Sequence, residues 1–207
     1  MLKNLRFALV PAFVLSLLAP IAGAQTRFDA YFGLGTATVG STHQSIDFSG
    51  SGVSLSTPSM DGLFGTFGGA VMLKRGIGFG GQATLRFRQG DYAGLEYRPV
   101  FYSFNAIWTP RLGDRIMPEF QAGLGGVNMR FYNPYFFYFN YDTGQYTNYA
   151  GSTNHFQLHA SAGLRIFLTY HIFIRPTLDY HWVNNFTWFK SNSVPSYSIA
   201  IGYTTGD

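Results

Sequence analysis

Two stretches of alternating polarity, joined by a tight turn, constrain this chain more than any other feature. From Phe156 to Leu168 every second residue is apolar: Phe156, Leu158, Ala160, Ala162, Leu164, Ile166 and Leu168. Gln157, His159, Ser161, Gly163, Arg165 and Phe167 fall between them. After Thr169 and Tyr170 the alternation restarts, with Ile172, Ile174, Pro176, Leu178, Tyr180 and Trp182 against Phe173, Arg175, Thr177, Asp179 and His181. Successive strand residues point to opposite faces, so the pattern predicts a hairpin with one apolar and one polar, charged face. A half-buried sheet of a soluble sandwich shares this alternation. Three features favour a membrane strand pair instead. Each arm reaches the roughly 9–11 residues with which a tilted strand crosses a bilayer. The ionic groups on the polar face suit a lumen. Tyr180 and Trp182 end the apolar face with side chains that favour the membrane–water boundary.

Composition agrees. The chain of 207 residues is 46% hydrophobic and 18% aromatic but only 12% charged, about half the charged fraction usual in soluble domains. Its mean hydropathy is +0.04, and no apolar run of ~20 residues follows the N-terminal segment, which excludes a helical membrane bundle. Cysteine is absent, so disulfides and thiolate metal sites are excluded. The histidines are scattered without a carboxylate cluster, so neither a metal nor another cofactor is expected.

Residues 1–24 read as a secretory signal peptide. Lys3 and Arg6 open it, Phe7 to Leu18 forms a short apolar core, and Ala22-Gly23-Ala24 offers a small-x-small cleavage site. Cleavage after Ala24 leaves residues 25–207 as one barrel domain and lowers the formal net charge from +4 to +2 by removing two basic residues. Export and so small a charge exclude nucleic acid as a partner.

The alternation recurs at about Phe28–Ala37, Gly62–Leu73, Ile77–Arg88, Tyr97–Trp108, Ile116–Phe131 and Ser196–Tyr203. With the hairpin this makes eight strands. Pro99 should disturb the start of the fourth, since proline donates nothing to a ladder. In the fifth, the apolar residues change phase after Gly125-Gly126, from Phe120, Ala122 and Leu124 to Val127, Met129 and Phe131; a glycine bulge is expected there. Tyr132 to Asn154 reads as the longest loop. Connections after odd strands are longer and those after even strands short, matching the extracellular loops and periplasmic turns of outer-membrane barrels. The expected fold is all-β, an eight-stranded antiparallel up-and-down transmembrane barrel, because lipid leaves no open sheet edge unpaired.

On this architecture, residues 27–203 resemble the small eight-stranded outer-membrane barrels: the OmpA-like barrel domain, OmpX-like proteins and porin-like surface antigens. Ser196–Tyr203 is similar to their terminal strand signal, with Thr204 to Asp207 expected to overhang it. The resemblance implies the bacterial outer membrane as location. It implies outer-membrane lipids and lipopolysaccharide as partners, the barrel-assembly machinery during insertion, and a monomer. The peptidoglycan-binding domain of full-length OmpA proteins has no counterpart here.

An eight-stranded lumen holds its own side chains and little else. Asp29, Arg86, Glu119, Arg165, Arg175 and Asp179 should project into it as a charged network. Confined charges must pair, because an isolated buried charge costs several kcal/mol. Asp29, Glu119, Arg165 and Arg175 lie near periplasmic turns or termini and should share one level. A network of this kind plugs and rigidifies the barrel, or gates a narrow ion path. In the loops, Tyr135, Phe136, Tyr138 and Trp188 are candidates for a binding surface, although part of the Tyr135–Phe139 run can also extend the fifth strand or lie among headgroups. A lipid-modifying enzyme is a third reading: His159 and Ser161 share a face at base–nucleophile spacing, with Asp179 available to orient the histidine. Without a placed triad, no catalytic residue is assigned. The expected function is therefore structural or surface-interacting, ahead of a narrow channel and an enzyme.

Overall fold

The computed structural model describes residues 26–41, 45–47, 54–56, 59–92, 94–113, 115–141 and 144–205. The signal peptide read at residues 1–24, and its cleavage site, lie outside the described residues. Eight long strands make the barrel: β1 (Arg27–Ala37), β2 (Phe64–Met72), β3 (Ile77–Arg86), β4 (Leu95–Trp108), β5 (Ile116–Tyr132), β6 (Tyr149–Phe167), β7 (Ile172–Val183) and β8 (Ser193–Thr205). Each pairs antiparallel with the next, and β8 pairs with β1, so no barrel edge is left open.

The registers define the stagger. Direct partners run from Ile116 through Ile166, Ile174, Ile201, Phe32, Phe67, Ala83 and Tyr102 to Gly126. One circuit thus returns to β5 ten residues further on, from position 116 to position 126. That shear tilts the strands and sets which inward side chains share a level. Every residue on this spiral except Gly126 is an outward-facing apolar side chain, and Phe104, Leu124 and Ile199 beside it are 64%, 59% and 65% exposed. Such a surface is costly in water and suits a lipid surround.

Strand β5 corrects the expected bulge. Its registers with β4 and β6 run unbroken through Gly125 and Gly126. Odd-numbered residues face inward along the whole strand, from Met117, Glu119 and Gln121 to Val127, Met129 and Phe131. The apolar phase changes because the lumen lining changes, from polar below to aromatic above. The two glycines leave room for neighbours instead: a Cβ on Gly126 would stand 2.5 Å from the Tyr102 hydroxyl.

Pro99 lies inside a continuous β4, but the ladder is interrupted beside it. Pairing with β3 stops at Val100, and pairing with a short strand, Gly90–Tyr92, resumes at Tyr97. The proline therefore sits where no ladder donor is needed on that side. The expected loop from Tyr132 to Asn154 is also largely strand. β6 starts at Tyr149 opposite Tyr132, and Tyr138–Asn140 pairs with Gln145–Thr147 as a small hairpin beyond the barrel. Period-two apolarity marks a strand where one face meets an apolar environment and the other a polar one, and these residues lie past the apolar outer band. At the other end, β8 continues through Thr205, so Thr204 and Thr205 do not overhang: they pair with Asp29 and Phe28.

Candidate functional site

The inward faces form two layers. The lower layer, toward the short turns, is polar, with Asp29, Glu119, Arg165 and Arg175 buried. Arg165 joins two strands at once, its Nε donating to Glu119 and its Nη1 to Asp29. Arg175 Nη1 donates to Glu119 Oε1 at 2.8 Å, and Thr204 Oγ1 donates to Asp29 Oδ1 at 2.5 Å. Two carboxylates thus face two fully buried guanidiniums, and the part-exposed Arg27 stands 3.7 Å from Asp29 at the edge of the group. This geometry is what makes burial of such groups tolerable, because each charge keeps partners after losing water.

Local sequence explains how two guanidiniums fit. Arg175 lies over the Tyr31 ring at 3.6 Å and Arg165 over the Phe173 ring at 5.1 Å. Each ring lies in a notch left by glycine on the neighbouring strand. A Cβ on Gly68 would stand 2.1 Å from Tyr31, and one on Gly202 would stand 2.2 Å from Phe173. Glycine is therefore required here by close side-chain approach. The flat guanidinium gains a cation–π contact in return.

Hydrogen bonds continue the network upward. Gln121 Nε2 donates to Glu119 at 2.6 Å, and Asn105 Nδ2 donates to Gln121 at 3.0 Å. His159 Nδ1 meets Asn105 Oδ1 at 2.9 Å, and its Nε2 meets Asp179 Oδ1 at 2.9 Å. Gln82 Nε2 donates to Asp179 Oδ1 at 3.3 Å, and Gln82 Oε1 accepts from the Tyr31 hydroxyl at 3.0 Å. Seven of the eight strands contribute to this circuit; β2 adds only the hydroxyl contact of Thr66 with Thr84, at 2.9 Å.

The structure brings Asp29, Glu119, Arg165 and Arg175 together. Asp179 stands apart from Arg175 although both lie on the inner face of β7, and it binds His159 and Gln82 instead. Arg86 belongs to neither group. It lies near the long-loop end, 3.2 Å from Asp61 and over the Tyr97 ring at 5.2 Å. Thr204 and Asn105 complete the network but were not singled out from sequence. Both were reachable: Asn105 sits on the polar face of strand four, and Thr204 continues the inward series Ser196, Ser198, Ala200 and Gly202.

The upper layer is apolar. Val39, Met60, Phe64, Tyr97, Phe101, Val127, Met129, Phe186 and Phe189 form one buried cluster across the barrel. The segment between β7 and β8 dips into the barrel mouth, with Phe186 fully buried. Trp188 covers this cluster, its ring 4.9 Å from Phe131 and 5.7 Å from Tyr92, whose hydroxyl donates to the Trp188 carbonyl at 2.7 Å. Trp188 therefore belongs to the mouth and does not stand beside Tyr135, Phe136 and Tyr138. Those three lie on or next to the outer hairpin, with Tyr135 and Phe136 78% and 71% exposed.

The His159–Ser161 pair lacks the arrangement of a base and nucleophile. Both imidazole nitrogens are engaged by Asn105 and Asp179, while Ser161 Oγ is buried without a hydrogen-bond partner. Both residues face the enclosed lumen, away from any lipid substrate.

No known family profile matches this sequence, and no curated relative does. Solved structures do share the architecture. Neisserial surface protein A is 12% identical with a TM-score of 0.57, over 87% of this chain and 97% of that chain. Ail, the attachment invasion locus protein of Yersinia pestis, solved with the heparin analogue sucrose octasulfate, is 14% identical with a TM-score of 0.53, over 87% of this chain and 99% of that chain. By fold, then, the chain is a closed eight-stranded up-and-down β-barrel of the kind small outer-membrane proteins adopt.

Proposed function

We propose that this protein resides in the bacterial outer membrane as a sealed barrel of structural or surface-interaction type. The observation that supports the reading is the pair of buried side-chain layers stacked inside the barrel. The Asp29–Arg165–Glu119–Arg175 network fills the lower half, and the aromatic cluster with Phe186 and Trp188 fills the mouth. An eight-stranded barrel has space for such side chains and no remaining bore for a solute. Contact with the outside then falls to the projecting hairpin, where Tyr135, Phe136, Phe137 and Tyr141 are exposed. From Tyr132 to Tyr149 the only charged residue is Asp142. Aromatic, amide-rich loops of this composition suit contact with macromolecules, since tyrosine brings large area at low entropic loss. On this reading the barrel works as a monomer among outer-membrane lipids and lipopolysaccharide, after insertion by the barrel-assembly machinery, and performs no catalysis.

Conductance recording in planar bilayers tests the seal. The native barrel should give no unitary steps, and Glu119→Ala should leave the trace flat because the aromatic layer still closes the mouth. Steady unitary currents from the native barrel would replace this reading with that of a narrow channel for ions or small solutes.

A further inference from the structure

Outward side chains change character along β4 and β5. On β4 they run Trp108, Ala106, Phe104, Tyr102 and Val100, then Arg98 and Glu96; on β5 they run Ile116, Pro118, Phe120, Ala122 and Leu124, then Asn128 and Arg130. From Trp108 to Arg98 the chain climbs about 25 Å, at roughly 3.3 Å per residue and a tilt of about 40°. That matches the height of the apolar band on outer-membrane barrels, about 25 Å. Arg98 and Arg130 therefore stand at headgroup level on the long-loop side.

These two arginines are direct cross-strand partners. Directly opposed side chains start only about 5 Å apart at Cβ, and like charges in that position destabilise a sheet. No ion pair among the described residues includes either one, and Glu96 on the same face bridges to neither. Each is held by a neutral acceptor. Arg98 Nη2 donates to the Phe87 carbonyl at 3.1 Å, and Arg130 Nε donates to Asn128 Oδ1 at 2.9 Å. Asn128 is itself fixed by Asn154 at 2.8 Å. Two arginines thus start from directly opposed positions on the outer face, each held by a neutral acceptor and neither in an ion pair among the described residues.

We propose that Arg98 and Arg130 clamp the phosphate monoester of a membrane-lipid headgroup in the leaflet on the long-loop side. The inference rests on the membrane location proposed above. A phosphate monoester carries about −1.5 to −2 charges near neutral pH, which matches two arginines, whereas a zwitterionic phosphodiester headgroup does not. Guanidiniums bind phosphate oxygens through paired N–H groups, so two arginines at directly opposed strand positions favour this ligand over a carboxylate or a neutral sugar.

The test places the barrel in nanodiscs of phosphatidylcholine alone, with bisphosphorylated lipid A, or with the same lipid A after dephosphorylation. The β-sheet circular dichroism in phosphatidylcholine alone reports insertion, so a failure of the membrane reading is seen separately. Phosphorylated lipid A should raise the thermal unfolding midpoint of the native barrel, and dephosphorylated lipid A should not. Arg130→Gln should unfold at the same or a higher temperature than the native barrel in phosphatidylcholine, because repulsion is relieved, yet show no gain from phosphorylated lipid A. A gain in the Arg98→Gln/Arg130→Gln double variant equal to the native one would overturn the proposal. So would a full gain from inorganic phosphate in solution, which would mark an adventitious ion only.

Discussion

Glu119 is the residue on which the lower layer turns, and its replacement by alanine makes a quantitative test. Its carboxylate accepts from Arg165, Arg175 and Gln121. Removing it leaves Asp29, already paired with the part-exposed Arg27, as the one carboxylate of the group facing two buried guanidiniums, with no solvent to screen the excess charge. Breaking a buried ion pair from one side costs about 3–5 kcal/mol, chiefly from the charge left behind. In the unfolding equilibrium this corresponds to about two to four powers of ten. The assay is urea unfolding of the barrel in lipid vesicles, followed by tryptophan fluorescence and by the gel mobility of the folded form. The excess charge is the decisive part. Glu119→Ala/Arg175→Met removes one buried charge of each sign and keeps Arg165 on Asp29, so the double variant should be more stable than the sum of its single changes by more than about 1 kcal/mol, a coupling expected of residues in one network. A loss below about 1 kcal/mol for Glu119→Ala, or strict additivity in the double variant, would refute the view that these charges hold one another in place.

Three further outcomes follow from the same geometry. Thr204→Val keeps the shape of the side chain but removes the donor to Asp29, so the unfolding free energy in vesicles should fall by about 1–3 kcal/mol. Gly68→Ala pushes a methyl group into the Tyr31 ring; overpacking should cost about 1–3 kcal/mol, and the loss should shrink when Tyr31→Leu is added. Replacing residues 133–148 with a two-residue Asn-Gly turn should leave urea stability within about 0.5 kcal/mol, as for changes away from packed features, because Tyr132 and Tyr149 still pair. The same variant should lose surface adhesion if the hairpin is the contact element.

The two-residue period was legible in the sequence because backbone geometry fixes it: consecutive strand side chains point to opposite sides whatever the fold. It marks Phe156, Leu158 and Ile174 as outward residues and Gln157, Arg165 and Arg175 as their inward neighbours, and eight such segments with alternating connections leave a closed barrel as the structure that pairs every strand. The meaning of the apolar side is a different matter. Val127, Met129 and Phe131 are as apolar as the lipid-facing residues below them, yet they point inward, since the lumen becomes aromatic where the outside becomes wet. Pattern alone reads that exchange as a slip. Trp188, placed by sequence in a loop, folds into the mouth because the aromatic cluster offers it more burial than solvent does. Tyr149 to Asn154 forms strand without alternating apolarity because β5 supplies a partner for its backbone.

Partner choice within the lumen was settled by tertiary structure. Parity puts Asp29, Glu119, Arg165, Arg175 and Asp179 on inner faces, but contact depends on the shear of ten residues around the cylinder. That offset brings Arg165 between carboxylates on β1 and β5, sends Asp179 to His159 rather than Arg175, and draws Thr204 into the network across the β8–β1 closure. Which face a side chain takes is a local property of the backbone. Which charge it meets is a property of how far each strand slides against its neighbour, and that distance is fixed only when the sheet closes.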